Sequence, residues 1–497
     1  MIKFLLKYKF LGLILILLGL SYFVLRLPNL TSQPIFADEA IYIRWAQVMR
    51  AEPTLRFLPL SDGKTPFFMW VMMPLLKVFE DPLFAGRFLS VLSGFVTMLG
   101  VFALSWRVFG SKAAYLSALF YVVTPYTVFF DRMALVDSML ATFTIWSIYF
   151  ALWLLKSQRL DLAMILGCLM GIAILVKTPA MVNLLALPLT ILGFDFKKRD
   201  KYVLLKLLGL WVVASGIALV IYNLLRLGPG FSQLSSRNAD YMFSPTELIG
   251  RPLDPFIPHL RDILSWIPGL ITWPIAAAIV IGIVFLFLKR HRLGLCVLLW
   301  LLVPVILEMT LLKTFTARYL LLAVPPLLVI GGFGASEVLK KLPGKFISWS
   351  LLLFLILPIY YDYLIITKPA NAFLPKNERR GYLEEWTAGY GFSEIAKFLI
   401  KQKETGPVVV GTEGYFGTLP DGLYIYLDRA NISVVGGPAT ISAELKEAAK
   451  KNLTFYVGNK NRLYEHMDGV QLLKEYPKAK PRDNRPQDAI YLYKVLP

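Results

Sequence analysis

The chain has 497 residues, of which 57 % are hydrophobic and 17 % charged, and its mean hydropathy is +0.60. In soluble globular proteins roughly a quarter of the residues are charged, so the composition excludes a soluble globular protein. The net charge of +19 would indicate a nucleic-acid binder in a soluble protein. In a membrane protein the excess of Lys and Arg instead marks the cytoplasmic connections, and no nucleic-acid partner is predicted.

Eleven apolar stretches approach the length of roughly 20 residues that a helix needs to cross a bilayer. They lie near residues 10–26, 84–105, 113–130, 138–155, 162–176, 180–194, 202–225, 266–288, 293–312, 319–337 and 347–363. The first resembles a signal peptide, but no small-residue cleavage site follows it, so we expect it to remain as an anchor. The sequence therefore predicts an all-α polytopic membrane protein with about 11 transmembrane helices.

Basic residues concentrate in alternate connections, at 107–112, 156–159, 197–201, 289–292 and 340–345. The positive-inside rule places these connections in the cytoplasm. Three longer segments then lie outside the cell: 27–83, 226–265 and 364–497. We predict a multi-pass protein of the cell membrane with two domains, a transmembrane domain at 1–363 and an extracytoplasmic domain at 364–497.

The C-terminal segment changes character and predicts a small α/β domain. Strand-like runs at 408–410, 423–426 and 453–457 alternate with helical patterns at 391–403 and 441–451. The segment contains no Gly-rich phosphate loop, no nucleophile elbow and no His cluster. It is interpreted as a recognition or packing module.

The first external loop, 27–83, predicts two interfacial helices. Apolar residues recur at helical spacing after Asp38, and a shorter apolar stretch follows Lys64. Asp38 is either an N-cap of the first helix or a functional carboxylate. Lys64 either binds an anionic head group or snorkels to lipid phosphates.

Further ionisable residues fall at the outer ends of the predicted spans. Acidic motifs occur at 38–39 and 131–137, and Glu308 lies about one turn inside the membrane. Five cations occur in these outer segments: Lys64, Arg132, Lys177, Lys313 and Arg318. Pairing within 131–137 is one interpretation, because charges at span ends are costly without partners. Carboxylates beside cations at the lipid boundary also suit a base that acts next to a lipid phosphate.

The motif Asp38-Glu39 in a long first external loop resembles that of polytopic glycosyltransferases of the protein O-mannosyltransferase and aminoarabinose transferase superfamily, which have the GT-C fold. Other motifs resemble those of the family in the same order: Gly63-Lys64-Thr65-Pro66, Arg132 to Asp137, Lys177-Thr178-Pro179, and Arg318-Tyr319 with the residues up to 325. The resemblance covers about residues 1–340 and leaves the C-terminal segment outside.

The resemblance implies transfer of a hexosyl or pentosyl group, with inversion, from a polyprenyl-phosphate donor to a lipid, protein or glycan acceptor. Such an enzyme stabilises the charge of the leaving phosphate and deprotonates or orients the acceptor. Asp38 is the expected base. The second acidic candidate, Glu39, is about 100° round the helix and is not expected to act on the same atom. The predicted phosphate ligands are Lys64, Arg132, Lys177 and Arg318, and the residues expected to bind or orient substrate are Tyr42, Arg87, Asp137 and Lys313.

Some aminoarabinose transferases have an acidic residue immediately before the Lys, where it contributes to a zinc site, whereas this chain has Gly63. We therefore predict an enzyme without a cofactor or bound metal, and leave open a hard divalent cation held by carboxylates. Besides the donor and acceptor, the expected partners are membrane lipids.

Two other classes of function compete. A transporter or flippase usually carries charges near the bilayer midplane and shows internal repeats, whereas the charges here fall on one face. A membrane-anchored scaffold for the C-terminal domain does not explain the external cations.

Overall fold

The computed structural model describes residues 2–196, 200–251, 253–464 and 467–497. The basic residues Lys197, Lys198 and Arg199 of one predicted cytoplasmic connection lie outside these ranges. The first part of the described chain is helical: α1 Ile2–Arg26, α2 Ala37–Ala51, α3 Phe67–Val78, α4 Pro82–Phe109, α5 Ser111–Val123, α6 Pro125–Asp131, α7 Val136–Ser157, α8 Leu160–Val176, α9 Val182–Ala186 and α10 Lys201–Asn223.

Short helices follow at α11 Gln233–Ser236, α12 Asn238–Tyr241 and α13 Pro245–Gly250, and then longer ones at α14 Phe256–Trp266, α15 Trp273–Leu288, α16 Arg292–Leu311, α17 Val324–Leu339 and α18 Gly344–Thr367. Helices α4, α5, α7 and α17 pack against one another and form the centre of the buried core. Most of these helices begin and end within a few residues of the predicted stretches.

Within the described residues, four helices are long and apolar enough to cross a membrane: α4, α7, α10 and α16. Two bent pairs raise the number to six if each is one span, namely α5 with α6, bent by 58°, and α14 with α15, bent by 118°. Gly12–Arg26 of α1 and Phe354–Thr367 of α18, together with α8 and α17, are shorter apolar helices. The fold is therefore a polytopic helical membrane fold, but its spans do not number eleven by this measure.

Proline explains where the predicted spans are interrupted. The stretch at 178–193 forms short 3-10 and α-helical pieces, since Pro179 and Pro188 remove backbone donors within it. The stretch at 266–288 begins with a π-helical turn, Ile267–Ile271, which contains Pro268. Thr272 then has a φ of +70° and turns the chain into α15.

The segment at 27–83 forms two helices, α2 and α3, where two were predicted. The N-cap of α2 is Phe36 and not Asp38, so the interpretation of Asp38 as an N-cap is wrong. Glu39, three positions after Phe36, accepts a hydrogen bond from the Phe36 backbone N–H at 2.9 Å. The polar face of α2 contacts the C-terminal domain: Arg44 and Arg50 pair with Asp428.

The C-terminal domain is built on a five-stranded sheet of order β4-β3-β5-β7-β6. Its strands are β3 Val408–Glu413, β4 Ser433–Gly437, β5 Leu453–Asn459, β6 Val470–Pro477 and β7 Ala489–Val495, and its helices are α19 Lys376–Arg379, α20 Phe392–Lys403, α21 Asp421–Leu427 and α22 Ala443–Ala449. Strand β3 runs parallel to β4 and β5, and β7 runs antiparallel to β5 and β6.

The prediction of a strand at 423–426 is wrong, because these residues form α21. An apolar run this short has no periodicity that separates a strand from a buried helical segment. Packing against α2 and α20 decides the structure here. The helices predicted at 391–403 and 441–451 and the strands at 408–410 and 453–457 are confirmed.

A two-stranded antiparallel ribbon joins the C-terminal domain to the segment that precedes α2. Strand β1, Ile35–Phe36, pairs with β2, Ala388–Gly389. The Ala37 N–H also donates to the Thr387 carbonyl at 3.0 Å. The C-terminal domain thus holds the backbone immediately before Asp38.

Candidate functional site

Asp38 lies in the first turn of α2 and contacts two cations from distant segments. Its Oδ2 is 2.5 Å from Arg318 Nη1, and its Oδ1 is 3.8 Å from Lys64 Nζ. The three side chains are 18 %, 12 % and 25 % exposed, respectively. The group is therefore largely desolvated but still open to a ligand. We call Asp38, Lys64 and Arg318 the central cluster.

The charges of the cluster set the protonation state of Asp38. Burial by itself would raise the pKa of this carboxyl, but the positive charges of Arg318, Lys64 and Lys177 outweigh it and hold the pKa at about 2. Asp38 is therefore ionised at every physiological pH. Burial likewise opposes the charged form of Lys64, but Tyr42, Asp38 and Asp62 raise the pKa of its ammonium.

Lys64 is held in place by a turn and by aromatic rings. Gly63 has a φ of +67°, a conformation that favours glycine, and this residue ends a 3-10 helix, Leu58–Asp62. The ammonium lies 5.4 Å and 5.5 Å from the ring centres of Tyr42 and Trp45, and 3.2 Å from Asp62 Oδ2. Tyr42 thus lies beside Lys64, and its role toward a substrate stays a prediction.

A second ion pair borders the central cluster. Lys177 Nζ is 2.7 Å from Asp137 Oδ1 and 4.3 Å from the ring centre of Tyr319, the residue after Arg318. The structure therefore brings together six predicted residues, which are Asp38, Tyr42, Lys64, Asp137, Lys177 and Arg318.

Glu39 and Arg87 form a separate pair that is buried completely. Arg87 donates to both carboxylate oxygens of Glu39 at 2.8 Å, and Glu39 also accepts from the backbone N–H groups of Phe36 and Ala134. Arg87 further donates to three backbone carbonyls, those of Leu30, Gln33 and Pro34. The pair fixes the start of α2 and does not reach the central cluster.

Two other predicted residues are also engaged elsewhere. Arg132 donates to the backbone carbonyls of Arg26, Pro28 and Asn29, and is 1 % exposed. Lys313 donates to the Ala239 carbonyl at 2.8 Å. The interpretation that residues 131, 132 and 137 pair with one another is not what the structure shows, since Asp131 pairs with Arg26 and Asp137 with Lys177.

The sequence analysis missed a carboxylate from the C-terminal domain that supports the site. Glu378 Oε1 accepts from the Ala317 N–H at 2.8 Å, and the Tyr126 hydroxyl donates to the Ala317 carbonyl. The peptide immediately before Arg318 is thus held on both sides. Glu378 belongs to no motif, and 61 positions separate it from its partner, so a single sequence carries no signal for it.

The described part of the chain has no evident metal site. No group of three or more His, Cys, Asp or Glu residues that could share a metal ion occurs among the described residues. The cations of the central cluster are instead suited to an anion, since Lys and Arg side chains bind phosphate oxygens through charge-assisted hydrogen bonds. The independence from metals stays a prediction.

Part of the chain matches a known protein family. Residues 63–222 match the family model described as dolichyl-phosphate-mannose-protein mannosyltransferase. No curated protein sequence matches the chain significantly.

Solved structures match over nearly the whole chain. ArnT from Cupriavidus metallidurans in the apo state is 15 % identical, with a TM-score of 0.56 and 98 % of each chain covered. The same protein bound to undecaprenyl phosphate has the same identity and TM-score, with 97 % of this chain and 98 % of that chain covered. A third match is the oligosaccharyltransferase AglB from Archaeoglobus fulgidus, in complex with an inhibitory peptide and a dolichol-phosphate. It is 13 % identical, with a TM-score of 0.54, and the match covers 91 % of this chain and 70 % of that chain.

The chain thus has the fold of these polytopic glycosyltransferases, and the resemblance inferred from its motifs is confirmed. The structural likeness includes the C-terminal domain, which the motifs left outside. At this low identity the matches establish the fold, and the activity has to be argued from the site itself.

Proposed function

We propose that this protein is a membrane glycosyltransferase that moves one sugar from a polyprenyl-phosphate donor to a lipid, protein or glycan acceptor, with inversion at the anomeric carbon. The observation that carries the proposal is the central cluster, in which an ionised carboxylate lies between two cations that are themselves largely desolvated. The match of 63–222 to a mannosyltransferase family supports the same reaction class.

In this mechanism the donor phosphate binds to Lys64 and Arg318. These two cations stabilise the negative charge that develops on the phosphate as the bond to the anomeric carbon breaks. Lys177, which lies beside them, adds positive charge to the same region.

Donor binding also changes Asp38. A carboxylate with a pKa of about 2 is a weak base, since proton transfer is most effective when the pKa lies nearer the working pH. A phosphate that takes the hydrogen bonds of Arg318 and Lys64 neutralises the charges that depress this pKa. Asp38 then becomes more basic and accepts a proton from the acceptor hydroxyl, or orients an acceptor anion.

The active site and the C-terminal domain are placed on the extracytoplasmic face, and α1, α8, α17 and α18 are taken as further spans. This sidedness rests on the basic connections near Arg107, Lys112 and Lys156. A donor carried by a polyprenyl chain is anchored in the membrane, next to the interfacial helices α2 and α3.

Asp38→Asn tests the proposal. The variant keeps the shape of the side chain but removes the base, so transfer from undecaprenyl-phosphate sugars should fall on the order of 10²- to 10⁴-fold. The matched control is Asp161→Asn, because Asp161 is an exposed carboxylate that pairs with Arg159. This variant should retain activity. Both variants are checked for insertion and for a single peak on gel filtration. Retained transfer by Asp38→Asn would contradict the assignment of the base.

The alternative, a transporter or flippase of a lipid-linked substrate, predicts a different product. Proteoliposomes supplied with a fluorescent lipid-linked sugar would then show movement across the bilayer without any new covalent product. Mass spectrometry of envelope lipids and glycoproteins, from cells with and without the protein, identifies the sugar and the acceptor.

A further inference from the structure

Glu308 is a buried carboxylate that the mechanism above does not use. It lies one turn before the C-terminal end of α16 and is 8 % exposed. Its Oε2 is buried and has no hydrogen-bond partner. Among the described residues no Lys, Arg or His forms an ion pair with it.

This situation is energetically unfavourable and calls for an explanation. A buried carboxylate without a compensating hydrogen bond is costly, and native proteins leave few such groups unsatisfied. Burial within α16 by itself gives no reason for an acid, because an apolar residue would be more stable there. A ligand that supplies the missing donor is a direct explanation.

The surroundings of Glu308 connect it with the candidate site. The charges that act on it are those of Lys177 and Asp137. Lys177 is already paired with Asp137 at 2.7 Å and also acts on Asp38. Glu308 is therefore near enough to the Lys177–Asp137 pair for these charges to act on it, and this pair borders the central cluster.

The chemistry of Glu308 limits what the ligand is. A carboxyl group carries no positive charge and is therefore poorly suited to hold a phosphate, whereas its oxygens accept hydrogen bonds. The phosphate of a lipid-linked donor thus belongs on Lys64 and Arg318. The part of the same donor that offers hydrogen-bond donors is the sugar ring.

We propose that Glu308 is a sugar-recognition residue, whose Oε2 accepts a hydrogen bond from a hydroxyl of the glycosyl group that is transferred. The proposal rests on the proposed function, because it requires a lipid-linked sugar in the site. It divides the donor between two regions: Lys64 and Arg318 take the phosphate, and Glu308 takes the sugar.

A binding comparison tests this division without requiring turnover. The probes are undecaprenyl phosphate and undecaprenyl-phosphate sugars that carry mannose, glucose, galactose or arabinose. The sugar that wild-type protein binds most tightly relative to undecaprenyl phosphate is used for the variants. Glu308→Leu should weaken its binding by about 10- to 100-fold, which corresponds to a lost hydrogen bond to a charged group, and change undecaprenyl phosphate binding by less than about threefold. Glu308→Gln, which keeps an acceptor, should fall between.

Two further variants separate this proposal from the general one. Glu337→Gln is the matched control, since Glu337 is a largely buried carboxylate at the other end of the helical domain, paired with Lys289 and Lys340. It should change neither binding constant. Lys64→Ala should weaken the binding of both lipids, because it removes a side chain that binds the phosphate.

Several outcomes would overturn the assignment of Glu308. It is wrong if Glu308→Leu weakens the binding of both lipids equally, or of neither, in a protein that melts no lower than wild type. It is also wrong if wild-type protein binds no sugar-bearing lipid more tightly than undecaprenyl phosphate. Failure of the proposed function would show differently, as unchanged binding of both lipids by Lys64→Ala together with no transfer by the wild-type protein.

Discussion

Glu378 holds the backbone that carries Arg318, although it comes from the C-terminal domain. It is 4 % exposed, and its carboxylate accepts from the Ala317 N–H. Glu378→Ala removes this acceptor and frees Arg318 to leave Asp38, so we expect the rate of transfer to fall on the order of tenfold or more, with a higher KM for the donor. Glu378→Gln keeps an oxygen in place and should retain most of the activity. Steady-state kinetics of both variants check this; equal losses would show that the hydrogen bond is not what matters.

The same residue predicts a pH dependence of stability. Burial raises the pKa of Glu378 from 4.5 to about 7, against the opposing effects of the Ala317 N–H and Arg318. Because the folded protein favours the protonated carboxyl, the stability it contributes is full below about pH 4.5 and is lost as the pH rises through about 7. Glu378→Gln imitates the protonated form. Its melting temperature relative to wild type should therefore increase between pH 5 and pH 8, by an amount equivalent to about 1 to 3 kcal/mol.

Glu394→Gln is the control for the pH series, because Glu394 is exposed on α20. It should differ from wild type by the same small amount at both pH values. A flat difference for Glu378→Gln would mean that Glu378 is not protonated in the neutral range.

At the level of single residues, the sequence predicted the polar groups that stand out in apolar surroundings. Asp38, Lys64 and Arg318 were found in this way and do meet in the structure. Their neighbour Glu39 looks equivalent in the motif, yet it pairs with Arg87. The buried Arg87 guanidinium forms five hydrogen bonds, two to Glu39 and three to backbone carbonyls. Which of two adjacent carboxylates is buried depends on packing partners that no local pattern contains.

The ribbon of β1 and β2 is the element that links the C-terminal domain to Asp38. Gly389 lies in β2, and a Cβ there would meet the Phe392 ring and Ile35 Cγ2. Gly389→Ala should therefore displace β1 and the start of α2, and lower the rate of transfer by roughly tenfold while the sheet of the C-terminal domain remains folded. Gly406→Ala is the matched control, since its Cβ would meet only Leu453 at an ordinary 3.9 Å.

Hydrogen exchange measures the displacement directly. Amides at 35–37 should lose protection in Gly389→Ala and keep it in Gly406→Ala. Unchanged protection at 35–37 together with full activity would show that the ribbon does not position Asp38.

At the level of elements, the sequence predicted most helices because a long apolar run that crosses a membrane forms an α-helix. It failed where a few residues decide. The run at 423–426 forms the helix α21 because it packs against α2, which lies more than 370 positions earlier in the chain. Arg44 and Arg50 of α2 also pair with Asp428, which follows α21. Pairing between β1 and β2 had no signal either, because each strand has two residues.

The orientation of the whole molecule is the remaining prediction, and it follows from the distribution of charge. Contacts between α2 and the C-terminal domain place Asp38 and that domain on the same side. The connection near Lys112 should lie on the opposite, cytoplasmic side, because its basic residues oppose translocation. Cys168 and Cys296 are replaced by Ala, and single Cys residues are introduced at the exposed positions Lys112 and Lys446. A membrane-impermeant maleimide added to intact cells should label Lys446→Cys, and should label Lys112→Cys only after permeabilisation. Labelling of both in intact cells, or of Lys112→Cys alone, would contradict the orientation and with it the extracytoplasmic site, since the donor-binding face and the C-terminal domain move together.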